Sequence, residues 1–170
     1  MDFRPYIRDV PDFPKPGILF RDITPLLANP EVFNLAIYEM WEAWDEKADA
    51  VAALDARGFI FGAPLAQELR VPFIPIRKRG KLPYQTHSVS YDLEYGQDTV
   101  EMHVDACGTN ARVLIVDDLL ATGGTAAAAA TLVEKAGATV AGYAFMIELA
   151  GLGGRAKLGD RRIESLVIYP

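Results

Sequence analysis

Apolar residues recur at helical spacing directly after Asn29 and Pro30: Val32, Phe33, Ile37, Met40, Trp41 and Trp44 fall on one face. Asn29 is suited to cap the first amides and Pro30 to take the first helical position, so the pattern predicts a helix packed on a core. The run AVAAL (50 to 54), the helical stretch GFIFGAPLAQEL (58 to 69) and VPFIPI (71 to 76) then read as a βαβ unit. Short, wholly apolar strands between helices imply a parallel sheet covered on both faces. From His87 to Val104 the period changes to two: Val89, Tyr91, Leu93 and Tyr95 alternate with Ser88, Ser90, Asp92 and Glu94. Gly96 and Gln97 turn the chain into Val100, Met102 and Val104, which predicts a β-hairpin projecting from the sheet. The βα pattern resumes with RVLIV (112 to 116), an Ala-rich helix ended near Gly137, the strand TVAGYAFMI (139 to 147) and a last strand SLVIY (165 to 169). Ahead of all this, the proline- and aromatic-rich opening up to about Asn29 (PDFPKPGILF) reads as an ordered irregular stretch packed on the body. No repeat or linker divides the chain, so residues 1 to 170 are expected to form one α/β domain with a central, mostly parallel sheet flanked by helices.

Composition narrows the partners. The 170 residues are 51% hydrophobic and 24% charged, enough apolar material for a real core and against disorder as the main state. Seventeen Lys plus Arg against 23 Asp plus Glu leave a net charge of -6, a surface that repels nucleic acid and anionic lipid, so neither is an expected partner. A single cysteine, Cys107, excludes an internal disulfide and a thiolate metal cluster and points to a reducing compartment. The start MDFRPYIRDV lacks the apolar core of a signal peptide and no apolar run approaches a membrane span, so a cytoplasmic protein is expected.

In an open parallel sheet, ligands bind beyond the carboxyl ends of the strands, which singles out three stretches. In VLIVDDLLATGGT (113 to 125) an apolar strand ends in Asp117 and Asp118 and passes through a small-residue turn into a helix. Thr122, Gly123, Gly124 and Thr125 can aim several backbone N–H groups at one anion, as a phosphate monoester requires. The two carboxylates suit ribose hydroxyls or a hydrated Mg²⁺. Ordinary loop and cap chemistry is the bland alternative. Neither GxxxxGK[ST] nor GxGxxG occurs, which sets aside a P-loop kinase and a dinucleotide enzyme; phosphate plus vicinal diol suggests a phosphorylated ribose. In LDARGFIFG (54 to 62), Arg57 and its flanking amides offer a second anion site. In IRKRGKLPY (76 to 84), Arg77, Lys78, Arg79 and Lys81 gather in an otherwise acidic chain, as either a solvated basic turn or a site for a polyanion. His87 and His103 lack metal-ligand spacing, and Cys107 lacks a thiolate-stabilising neighbour.

The stretch VLIVDDLLATGGT resembles the 5-phosphoribosyl-1-diphosphate signature of type I phosphoribosyltransferases, and FPKPGILFRDITPLL (13 to 27), ARGFIFG (56 to 62), RKRGKLP (77 to 83) and YDLEYG (91 to 96) extend the resemblance over nearly the whole chain to a purine-salvage branch of that family. The resemblance implies a Rossmann-like type I phosphoribosyltransferase fold with an N-terminal hood (1 to 29) and a flexible catalytic hairpin (78 to 99) that closes over the site. It implies the reaction of adenine with 5-phosphoribosyl-1-diphosphate to AMP and diphosphate, Mg²⁺ arriving with the diphosphate substrate, and a homodimer. It assigns the ribose diol to Asp117 and Asp118, the 5-phosphate to Ala121, Thr122, Gly123, Gly124 and Thr125, and the diphosphate to Ala56, Arg57, Arg77, Lys78, Lys81 and Tyr95, with a non-proline cis peptide often found in the turn through Ala56, Arg57 and Gly58. Arg79 has the weakest claim among the basic residues. Leu19, Phe20 and Arg21 form the base-binding hood by the same resemblance, with main-chain groups offered to the base and Leu149 as an apolar face. Oxopurine-specific relatives carry an acid where this chain has Ala121, which cannot accept the purine proton. Glu94, on the polar face of the hairpin, is the replacement to which the resemblance also points, ahead of Asp92 and Glu101. The rivals are the same fold acting on another purine, and a non-catalytic phosphoribosyl-diphosphate sensor, for which the chain holds no spare DNA-binding segment.

Overall fold

A computed structural model describes residues 1–45, 47–92 and 96–170; Glu94 and Tyr95 lie outside the described residues. After one 3-10 turn, β1 (Arg8–Pro11) and β2 (Leu19–Asp22) pair as an antiparallel ribbon, followed by the single turn α1 (Thr24–Leu27) and the helix α2 (Pro30–Trp44). The Asn29 side chain accepts from the Val32 amide at 3.2 Å, the cap that the sequence predicts. The alternating body follows: β3 (Ala50–Leu54), α3 (Gly58–Leu69), β4 (Phe73–Lys78), β5 (Thr86–Asp92), β6 (Gln97–His103), β7 (Arg112–Leu120), α4 (Gly124–Lys135), β8 (Thr139–Leu149), α5 (Gly154–Leu158) and β9 (Ile163–Tyr169).

The main sheet runs in the order β5-β6-β4-β3-β7-β8-β9, with β4, β3, β7, β8 and β9 parallel and the hairpin antiparallel at one edge. Side chains of a strand alternate between faces, so each central strand feeds two cores. Val51, Ala53, Leu114 and Val116 face α2 and α3, whereas Ala52, Leu54, Val113 and Ile115 face the α4 side. Both faces are covered, which is why β3 and the 113 to 116 stretch of β7 are apolar at every position. From β3 the chain crosses through α3 to β4 on one side; from β7 it crosses through α4 to β8 on the other. The sheet order therefore reverses between β3 and β7, and the two loops leaving their carboxyl ends diverge around a crevice.

Three expectations change. The opening stretch is not irregular: its prolines bound a β-ribbon, with cis Phe13-Pro14 and left-handed Asp12 and Gly17 in the connection. The hairpin does not project free of the sheet: β6 pairs with β4 through Arg77↔Glu101 and Lys78↔Val100, so Lys78 belongs to β4 and the hairpin strands run from Thr86 to His103. Finally, β7 does not stop at the acids. Asp117↔Phe145, Leu119↔Ile147 and Leu120↔Glu148 continue the ladder with β8, so Asp117 and Asp118 stand on the strand itself.

Candidate active site

Beyond Leu120 the chain turns through Ala121, Thr122 and Gly123, the last left-handed at φ 78°, into α4. The first amides of a helix have no intrahelical acceptor. They face a cavity of about 70 Å³ lined by Asp117 and residues 119 to 126, room for one tetrahedral oxyanion. Ala121, Thr122, Gly123, Gly124 and Thr125 are thus brought together as the sequence predicts.

Asp118 is 5% exposed and receives the Arg57 guanidinium at 3.0 Å, while its own amide donates to Asp117 at 2.8 Å. Burial and then the neighbouring Asp118 charge push the Asp117 carboxyl well above the usual carboxylate range; burial raises Asp118 too, against the pull of Arg57. Arg57 offsets part of the rise at Asp118, so Asp117 is the carboxyl of the pair pushed further up. Gly58 makes the close approach possible: a Cβ there would lie 2.9 Å from both Asp117 Oδ1 and the Val116 carbonyl. A folded-state pKa raised above the unfolded one makes the native state bind more protons, so this group takes stability away as pH rises from the unfolded value toward the folded one. Asp117→Asn is therefore expected to raise Tm at pH 8 by about 2–4 °C, the shift that about 1 kcal/mol produces in a domain of this size, with the gain vanishing near pH 4. Thermal melts at the two pH values check it; equal destabilisation at both would show that the Asp117 carboxyl is not raised.

The turn at residues 55 to 57 contains a cis Asp55-Ala56 peptide. Arg77 donates to Asp55 at 2.9 Å, and Lys78 pairs with Asp98 at 3.0 Å. A cleft of about 330 Å³ joins this turn to the acid pair and Thr125, with Lys78, Tyr91 and Asp98 across from them. Arg57 and Lys78 reach the cleft and Arg77 meets its edge through Asp55, whereas Lys81 is not among the lining side chains; its carbonyl accepts from Arg77 at 3.4 Å. Each of the three cations at the cleft has its own carboxylate: Arg57 with Asp118, Arg77 with Asp55, Lys78 with Asp98.

The hood reaches the site through Phe20, whose ring lies 5.2 Å from the Arg57 guanidinium carbon. Arg21 spends its side chain on Asp9 and on the Tyr169 ring at 3.7 Å, which leaves its main chain as the part available to a ligand. Among the described residues only one edge of β2 is paired, so main-chain groups at Leu19 to Arg21 remain along the other. Leu149 ends β8 at the same carboxyl edge of the sheet as the acid pair. Asp55, Tyr91 and Asp98 are site residues that the sequence reading does not find; the first follows an apolar strand, a signal that could have marked it, but the other two depend on hairpin register. Cys107, with its thiol pushed up by burial, has no place in the cleft.

Among the described residues no three His, Cys, Asp or Glu side chains gather as a metal cage. The acid pair, two adjacent carboxyls met by one guanidinium, nonetheless suits a divalent cation delivered with a substrate that supplies most of its ligands. Among the described residues no helix is long and apolar enough to cross a membrane.

Comparison with known proteins agrees with this geometry. Residues 24–163 match the family described as Phosphoribosyl transferase domain. Adenine phosphoribosyltransferase of Methylococcus capsulatus is 58% identical over 98% of either chain. The crystal structure of adenine phosphoribosyltransferase from Thermoanaerobacter pseudethanolicus superposes with a TM-score of 0.95 at 51% identity over 98% of each chain. That of the Saccharomyces cerevisiae enzyme, complexed with an imino-altritol bisphosphate and adenine, gives a TM-score of 0.91 at 41% identity over 96% of each chain.

Proposed function

The chain belongs to the phosphoribosyltransferase family, and from that premise we propose that it is an adenine phosphoribosyltransferase, converting adenine and 5-phosphoribosyl-1-diphosphate to AMP and diphosphate. One observation carries the reading: an oxyanion cradle at Ala121–Thr125, a carboxyl pair and a cleft entered by Arg57 and Lys78 meet at the crevice where the sheet order reverses. They match, in that order, the 5-phosphate, the diol and the diphosphate of one substrate.

The cradle amides and Thr125 hold the 5-phosphate, and Asp117 and Asp118 accept from the ribose hydroxyls, which fixes the anomeric carbon against the cleft. As the bond from that carbon to the diphosphate oxygen breaks, positive charge grows on the sugar and negative charge on the leaving group. Arg57, Arg77 and Lys78 meet the latter, with Ala56 offering its amide, Lys81 approaching from its exposed turn and Tyr95 from the hairpin. The purine nitrogen forms the new bond and its proton passes to Glu94. Main-chain groups at Leu19, Phe20 and Arg21 read the edge of adenine and Leu149 packs on its face. Asp117 and Asp118 would flank a magnesium ion arriving with the diphosphate, which would supply charge neutralisation of that leaving group. A cytoplasmic homodimer completes the proposal, the location supported by the single cysteine and the dimer by family likeness alone.

The experiment is diphosphate release from 5-phosphoribosyl-1-diphosphate and Mg²⁺ with adenine, hypoxanthine, guanine, xanthine and orotate offered in parallel. Release with adenine alone is expected. Release with an oxopurine instead would overturn the specificity and keep the phosphate sites; tight binding without release for any base would make the chain a sensor.

A further inference from the structure

Lys78 enters the cleft from the last position of β4, where it pairs with Val100 of β6. Residues two apart on a strand share a face, so Asp98 stands diagonally across from Lys78 on the face of Val100. Its Oδ2 receives Lys78 Nζ at 3.0 Å and the Tyr91 hydroxyl at 3.4 Å, and its Oδ1 receives the Thr99 amide at 2.8 Å. Tyr91 is its cross-strand partner and accepts in turn from Thr125 of the phosphate loop at 3.1 Å. One carboxylate thus ties a cation at one end of the cleft to a hydroxyl at the other.

The two ends of the ion pair differ in freedom: the Lys78 side chain is 64% exposed and that of Asp98 22%. A lysine has four rotatable bonds to order before it serves an anion, whereas a lysine already held at its tip has little left to lose. We propose that Asp98 is a positioning residue for the diphosphate, holding Lys78 Nζ over the cleft while Tyr91 and the Thr99 amide fix its carboxylate from behind. The proposal rests on the reading of this cleft as the diphosphate site. Asp98 also repels the diphosphate, but that repulsion crosses an open, solvated cleft and is screened, whereas the ordering of the lysine is not. The pairing lowers the Asp98 carboxyl and raises the Lys78 ammonium, so both stay charged across neutral pH.

The test is calorimetric binding of 5-phosphoribosyl-1-diphosphate with Mg²⁺, and separately of ribose 5-phosphate, neither of which needs adenine. Asp98→Asn is expected to weaken the diphosphate ligand about five- to tenfold and ribose 5-phosphate less than twofold. Lys78→Ala is expected to do the same, and the double variant to be no weaker than Lys78→Ala alone, because Asp98 acts through Lys78. Tyr91→Phe, which keeps the ring, is expected to weaken the diphosphate ligand two- to threefold and carries the test if Asp98→Asn does not fold. Multiplying effects in the double variant, or tighter binding by Asp98→Asn, would overturn the proposal. A wild-type chain that binds neither ligand would remove the site reading and the proposal with it, whereas a wild type that binds with Asp98→Asn unchanged removes the proposal alone.

Discussion

Glu94→Gln is expected to lower kcat by about 10²–10⁴-fold while moving the KM for 5-phosphoribosyl-1-diphosphate less than about threefold, since a glutamine keeps shape and hydrogen bonding but cannot take a proton. Glu94 lies outside the described residues, but its neighbours in the chain narrow what else could take the proton. Asp92, two positions earlier, lies against the phosphate loop, with its carbonyl 3.8 Å from where a Cβ on Gly124 would stand. The other acids of the hairpin are engaged: Asp92 accepts from the Gln97 side chain at 2.9 Å, and Glu101 is buried and accepts from the Gly80 amide at 3.0 Å. Ala121, at the place where oxopurine enzymes of this family carry an acid, lines the cradle and offers no proton acceptor beyond its carbonyl. That leaves Glu94 as the acceptor that the proposed reaction predicts for the purine proton. Steady-state kinetics decides it, and a kcat within tenfold of wild type would take Glu94 out of the mechanism.

Much of this architecture is written in local patterns. The apolar runs AVAAL and VLIV, the Asn29-Pro30 cap and the Gly-Gly turn each specify their element through a few neighbouring residues, and the loops after β3 and β7 become a site because of where parallel strands end. What depends on long-range pairing was not legible. The ladder between β7 and β8 carries Asp117 and Asp118 as strand residues although charged side chains usually end a buried strand, because the crevice leaves that end of the sheet open to ligand. The opening prolines read as irregular, yet they bound a ribbon whose pairing of Arg8 with Asp22 spans fourteen residues of separation (22 − 8). Asp98 carried no sequence signal at all: its meeting with Lys78 needs the Arg77↔Glu101 register, and a slip of one residue would turn it to the other face.

Gly123→Ala is expected to raise the KM for 5-phosphoribosyl-1-diphosphate by about 10²-fold, the loss of one or two charge-assisted hydrogen bonds, and to lower Tm as well. Two separate demands meet at this residue. Its φ of 78° is left-handed, which for an L side chain costs about 1–2 kcal/mol. A Cβ there would also stand 2.6 Å from the Gly154 carbonyl, a backbone atom at the start of α5 that cannot swing aside like a side chain. Gly154 in turn has no room to move toward the loop, since a Cβ on it would lie 2.3 Å from the Ala121 carbonyl. The alanine must therefore tilt the turn from Ala121 to Gly123, and with it the amides that line the oxyanion cavity. Gly159→Ala separates the two demands: at φ 70° and ψ −155°, a region kept almost wholly to glycine, with nothing within 4 Å of its Cβ, it carries a larger backbone cost without the collision. It is expected to lower Tm and leave KM within about twofold. An equal rise of KM in both variants would mean that the phosphate loop responds to global loosening rather than to the contact with α5, and the cradle would then owe its shape to the β7–α4 turn alone.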